Sequence, residues 1–362
     1  MPSMRKPPEE KKNTLETLHL LGTRIRKRRL LSRRPPWKEI EEDYKQAILA
    51  LAERDEREEQ TRPMLRGYSG VLEAGVARCM EAQRSLDGAA HHHHRAGVAF
   101  ADEHAAQRDG GAPGFDLYKH EALSAFREAV NIHVTEGLFS KAAALYLELA
   151  ARLELFDDCY NAVVYYKRAA EFFRKQAPPC LHYALFSLQF ALRLALRSRD
   201  VSSALGCLSA SKDVLVSIRR QGPSSEIEAE LSGALVTEML LCAHEGKFRV
   251  ALHLFQRLVA LQAAGDGEAD VGFSWSRDLP RLQAPSTKSK NAEVYRRHIR
   301  EHGELLDGLG AFLMDLLWTI EFREFERFLS TAHCEMREHL SPIQLLILDR
   351  IEEVLTIQFN VR

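Results

Sequence analysis

The usual signatures of chemistry are missing from this chain. Its 362 residues hold no G-x-x-x-x-G-K-[ST] loop to cradle a phosphate, no H-E-x-x-H pair to grip zinc, no G-x-S-x-G elbow and no Rossmann glycine fingerprint. Gly265, Gly267 and Gly272 follow no strand and lack the spacing of a nucleotide loop. Cysteine is scarce: six residues, at 79, 159, 180, 207, 242 and 334, with no C-x-x-C pair. That spacing excludes a dense disulfide framework and reads as buried thiols in a reducing compartment. The most apolar stretch, 181–196, is too short for a bilayer and is interrupted by Arg193. The opening Met1-Pro2-Ser3-Met4-Arg5-Lys6 has no apolar core of secretory type. No stretch alternates as a half-buried strand does, and the net charge of −1 provides no whole-chain field for nucleic acid or an acidic membrane. These absences predict a chain that is not an enzyme, needs no cofactor, binds no nucleic acid and does not insert into a membrane.

What is present is helix after helix. From 118 to 262 the apolar spacing predicts helices at about 118–135, 139–154, 158–175, 179–198, 201–220, 226–244 and 248–262. Gly137, Asp157, Pro178, Asp200, Gly222-Pro223 and Gly246 punctuate them. Three helices open with similar turns whose matched alanines are Ala162, Ala204 and Ala251, and a second series runs from Ala142 to Ala184. Two interleaved series stepping by about 40 residues predict helix pairs stacked as a solenoid. The fold class expected is therefore all-α, a tetratricopeptide-like α-solenoid of stacked antiparallel helix pairs.

Around this centre, residues 1–22 read as a disordered basic and polar terminus, 23–262 as the solenoid with a flexible loop at about 87–116 that includes a weak helix at about 96–106, 263–291 as a flexible linker and 292–362 as closing helices. Those last helices are expected at about 292–301, 304–319, 322–338 and 342–358. Ser341-Pro342-Ile343-Gln344 has the form of a capping box with proline at the first helical position.

Charge is unevenly placed. Residues 24–34 hold seven Lys or Arg and no acid, whereas 39–59 hold nine acids against three bases. The basic run fits a clamp on an acidic partner, a nuclear-import signal or a solvated end of the solenoid. His91 to His94 are a conceivable metal ligand set, but beside Gly88 and Ala89 they read as a solvated loop. His333-Cys334-Glu335 lacks a second ligand pair. Asp157-Asp158 reads as a helix N-cap and Glu352-Glu353 as a solvated face.

Three stretches also carry a resemblance. They are the opening Thr23-Arg24-Ile25-Arg26-Lys27-Arg28-Arg29-Leu30-Leu31, the core 122–214 with Tyr165-Tyr166-Lys167-Arg168-Ala169-Ala170, and the closing pair of helices at 322–353. In their order and separation the chain resembles the huntingtin-associated protein family, also called the factor VIII intron 22 protein family. The short 263–291 stretch, in place of the long proline-rich insertion of vertebrate members, points to an invertebrate member. The resemblance implies a non-catalytic protein that binds huntingtin between its helical-repeat domains and stabilises it. It also implies a link to a Rab GTPase of early endosomes and to endosome trafficking. The expected location is the cytoplasm, with the early endosome and the nucleus as further sites.

On that reading Trp318, Phe322, Phe325 and Phe328 are candidate anchors in a large apolar interface, though the same four also fit the chain's own core. Arg24, Arg26, Lys27, Arg28 and Arg29 would face acidic partner surface, and Asp349, Glu352 and Glu353 basic surface. The alternative expectation is a generic helical-repeat vesicle-trafficking adaptor of the soluble-attachment-protein type.

Overall fold

The structure is a computed structural model that describes residues 14–31, 35–55, 63–110, 116–222, 224–263, 308–322, 328–329, 331 and 335–360. Among these residues every regular element is helical. They are α1 (Thr14–Leu31), α2 (Trp37–Asp55), α3 (Pro63–Ala82), α4 (Leu86–Asp109), α5 (Leu117–Thr135), α6 (Phe139–Leu155), α7 (Cys159–Lys175), α8 (Leu181–Arg197), α9 (Val201–Gln221), α10 (Ser225–His244), α11 (Phe248–Ala263), α12 (Gly308–Phe322), a 3-10 turn (Glu335–His339) and α13 (Pro342–Asn360). The fold is all-α, built from antiparallel helix pairs of solenoid type. The chain forms two compact units, Met1–Ser187 and Leu188–Arg362, with the boundary inside α8.

One corner recurs five times. Arg84, Gly137, Asp157, Arg199 and Gly246 all take positive φ, between 58° and 73°. At each, that residue's N–H bonds the carbonyl three residues back and the next N–H bonds the carbonyl five before it, as in Ser85 to Met80, Leu138 to His133, Asp158 to Leu153, Asp200 to Ala195 and Lys247 to Cys242. These are Schellman endings, which satisfy the last carbonyls of one helix in a left-handed residue. The next helix begins at once. Asp158 and Asp200 cap it, their carboxylates accepting from the Asn161 and Ser203 N–H groups. Glycine takes the left-handed conformation freely at 137 and 246; at 84, 157 and 199 an ordinary residue bears the strain.

Within the first unit the helices form two layers, and polar rungs set their register. α4 and α6 run parallel, joined by Asp87–Lys141, His94–Glu148 and Asp102–Arg152 in that order along both helices. α5 and α7 are likewise parallel, joined by Lys119–Asp158 and by Arg127 to the Tyr165 hydroxyl. Helices two apart in sequence lie side by side, as stacked pairs require. Rings sit directly against glycine where helices cross: a Cβ on Gly97 would lie 2.6 Å from Phe126, and one on Gly75 would lie 2.5 Å from Tyr44.

The second unit relies on apolar packing. α10 buries Leu231, Leu235, Met239, Leu240 and Leu241 almost completely, with Phe255 of α11, Leu316 of α12 and Ile347 of α13 also in the core. One of its polar ties is interior: Lys212 of α9, itself buried, pairs with Glu238 of α10. The capping box at α13 forms as its sequence predicts, with the Ser341 N–H donating to Gln344 Oε1 and the Gln344 N–H to Ser341 Oγ. Gln344 also donates to the Gly233 carbonyl and to Thr237 of α10. Among the described residues, α9 is the one helix long and apolar enough to cross a membrane by length and composition. Its Lys212 is buried and paired with Glu238 of α10.

Two expectations are corrected. Residues 14–22 belong to α1 rather than to a disordered terminus, and residues 86–109 form one unbroken helix where the sequence predicts a flexible loop with only a weak helix at 96–106. Ala89, His93, Ala96, Phe100 and His104 recur at helical spacing and are all buried, so tertiary burial holds α4 despite Gly88 and Gly97. Residue 263 ends α11, whereas the rest of the linker (264–291), the helix expected at 292–301 and most of that at 322–338 lie outside the described residues.

Candidate interaction surfaces

The histidine run is polar glue within the fold. Three consecutive side chains reach three different glutamates: His92 Nδ1 to Glu73 at 2.6 Å, His93 Nε2 to Glu81 at 2.9 Å and His94 Nε2 to Glu148 at 2.7 Å. Glu73 and Glu81 come from α3, Glu148 from α6. Because successive residues on a helix point about 100° apart, the run addresses two neighbouring helices. The His94 hydrogen bond holds the Glu148 carboxyl below the usual glutamate range, against the opposing effect of its burial. Among the described residues no group of three or more His, Cys, Asp or Glu could hold a metal ion. Burial pushes the His104 and His133 rings toward neutrality and the Cys79 and Cys242 thiols up to about 11. Neither thiol is poised as a nucleophile.

The basic run occupies α1, and part of it is already spent. Arg28 reaches the buried Asp43 at 2.7 Å and Glu39 at 3.2 Å, and Arg24 reaches Asp43 at 3.2 Å. The acidic stretch that follows in sequence thus folds back as an antiparallel partner, and the clamp expected on a foreign acidic surface is in part an internal one. Arg26, Lys27 and Arg29 are exposed. Leu21 and Ile25 are the buried apolar residues of this helix.

The carboxyl-terminal residues are also partly committed. Asp349 pairs with Arg337, and Glu353 with Arg199 at 3.2 Å; Glu352 is half-buried. Glu353 and Arg199 flank a cavity of about 190 Å³ walled by Leu196, Val201, Leu241 and Ile347. Exposed Ile357 follows on the same helix. Phe328 is completely buried, in keeping with the core alternative. Trp318 is half-buried in α12, Phe322 ends that helix, and Phe325 lies outside the described residues.

A surface with no counterpart among the residues expected from sequence lies on α5, α6 and α7. Tyr146, Phe172 and Phe139 stack in sequence, with centroids 5.6 and 6.0 Å apart, and Tyr165 lies 5.3 Å from Tyr146. Cations cover the rings: Arg127 and Arg168 lie 5.9 and 5.8 Å from the Tyr165 centroid, and Lys175 lies 5.4 Å from that of Phe172. Arg127 also donates twice to the Tyr165 hydroxyl, at 2.9 and 2.6 Å. Tyr165, Arg168, Phe172 and Lys175 follow heptad spacing on α7, a ring-cation alternation that could have been read from the sequence. The partner rings on α6 and the cation on α5 could not.

Large apolar side chains are exposed on α3 and on α5 to α8: Tyr68 and Val71 on α3, Leu117 on α5, Leu155 on α6, Tyr160 on α7, Tyr183 and Phe186 on α8.

No family model matches this chain, and no curated protein does. Among solved structures the chain is similar to a circular tandem repeat protein with novel repeat topology and enhanced subunit contact surfaces, at 14% identity and a TM-score of 0.43, over 94% of this chain and 75% of that one. It is also similar to BtubC (BKLC) from P. vanneervenii, at 16% identity and a TM-score of 0.28, over 76% of this chain and 98% of that one.

Proposed function

We propose that the chain is a non-catalytic interaction protein of the huntingtin-associated type, which binds huntingtin between its helical-repeat domains and stabilises it. The observation that carries this reading is the series of exposed apolar side chains from Tyr68 to Phe186 on helices that are otherwise well packed. Exposed apolar surface of this kind is what a permanent partner covers. The sequence resemblance supplies the partner's identity. On the same reading the protein is a scaffold of the cytoplasm and early endosome, and an effector of an early-endosomal Rab GTPase.

Size-exclusion chromatography of the purified chain with purified huntingtin tests this. A stoichiometric complex with a raised melting temperature is expected; two separate peaks at micromolar concentration would overturn the reading. For the Rab arm, binding to the GTP-loaded and not the GDP-loaded GTPase is expected. A generic adaptor of the soluble-attachment type is the second reading, favoured by the ring-held cations of α5 and α7. It predicts a stable monomer that binds an acidic helical bundle and ignores huntingtin.

A further inference from the structure

The face shared by α5 and α7 carries more than a solvated charge run. Arg127, Arg168 and Lys175 are exposed, yet each lies against a ring that fixes where its charge sits. A cation already held loses little side-chain freedom on binding, so its charge acts with less entropic opposition than that of a free lysine. Between Cys159 and Lys175 the cations Lys167, Arg168, Arg174 and Lys175 outnumber the single acid Glu171. Glu121 and Glu128 are the acids of α5, both exposed and neither held in this way.

We infer that this face is a docking site for an acidic helix of the protein partner. Arg168 and Lys175 are seven residues apart, about 10.5 Å along the helix axis. Acids at i and i+7 on a facing helix repeat at that same rise, and Arg127 adds a third charge from α5. Nucleic acid fits less well: Tyr165 is 2% and Tyr146 6% exposed, so these rings are closed to base stacking. The partner's identity rests on the huntingtin reading; the chemistry of the face does not.

The test uses the full chain, with Arg168→Glu and Lys175→Glu combined. Both side chains are exposed, and Arg127, which braces Tyr165, is left intact. Helix content and melting temperature confirm folding. Arg174→Glu, exposed on the same helix but held by no ring contact of this kind, is the control. Two probes are used: purified huntingtin, and a helical peptide with glutamates at i and i+7, each at about 50 and about 300 mM salt. The double reversal is expected to weaken both by about tenfold or more at low salt and to flatten the salt dependence, with Arg174→Glu costing under about threefold. Binding of both probes unchanged by the double reversal, or an equal loss in Arg174→Glu, overturns the site. If huntingtin fails to bind but the peptide binds and responds as expected, the site stands and the huntingtin reading falls. If neither probe binds the natural chain, both fall.

Discussion

The two units reach the same helix-pair architecture by different means. In the first, polar rungs fix one helix against the next: Asp87–Lys141, His94–Glu148 and Asp102–Arg152 along one layer, Lys119–Asp158 along the other. In the second, α10 is apolar on nearly every side, and a few interior polar groups such as Lys212–Glu238 and Gln344 specify its register. Apolar burial supplies most of the stability in either case but says little about register, because a leucine surface tolerates sliding. Directional bonds add less energy and more specificity. The difference predicts which changes weaken each unit and by how much.

The largest effect is expected in the apolar unit. Leu235→Ala, at a fully buried position of α10, should cost about 2–5 kcal/mol through lost contacts and a residual cavity, read as a lowered denaturation midpoint. In the first unit the comparable lesion is overpacking: Gly97→Ala places a methyl 2.6 Å from Phe126 and should cost about 1–3 kcal/mol. Gln344→Ala removes half the capping box and the tie to α10, at about 1–2 kcal/mol. Faster hydrogen exchange confined to the start of α13 and the middle of α10 would distinguish it from a general loss. Arg84→Gly should go the other way. It relieves about 1–2 kcal/mol of left-handed strain against about 0.5–1 kcal/mol of added chain entropy, for a gain of up to about 1.5 kcal/mol.

The finest distinction is by pH. His104 and His133 are held neutral by burial, so their folded pKa values lie below the unfolded value. Below about 6.5 the unfolded chain binds protons that the folded one refuses, and stability falls as pH drops through that window. Glu148, whose pKa is lowered, adds its loss only below the ordinary glutamate range, as pH falls through its folded value. Corrected for its slower intrinsic rate at lower pH, amide exchange between pH 7 and 5 should therefore accelerate in α4 and α5 before it does in α10. Equal acceleration in both would break the distinction, and His133→Gln should reduce the effect in α5.

Much of this architecture was readable in advance. Every helix from 117 to 263 was anticipated to within a few residues, because apolar spacing and the punctuating Gly and Asp residues agree. The α13 capping box was read from four residues, since both halves of that motif lie on one turn. The first half of α4 is not legible because four histidines beside Gly88 suggest a loop locally, while the three glutamates that stabilise the run come from other helices. The stripe from Ala89 to His104 was the available signal. Charge pairing is illegible for a related reason: Arg28 and Glu353 look unengaged in sequence, and only folding brings Asp43 and Arg199 to them. A sequence shows which residues carry charge, but not which charges the fold will pair.

The five left-handed corners have a consequence for how this chain can change over time. A link that short has no slack. One residue added or removed there would rotate the following helix by about 100° about its own axis and turn its greasy stripe to water. Length variation among descendants of this sequence should therefore avoid residues 84, 137, 157, 199 and 246, whatever happens to the composition of the helices between them.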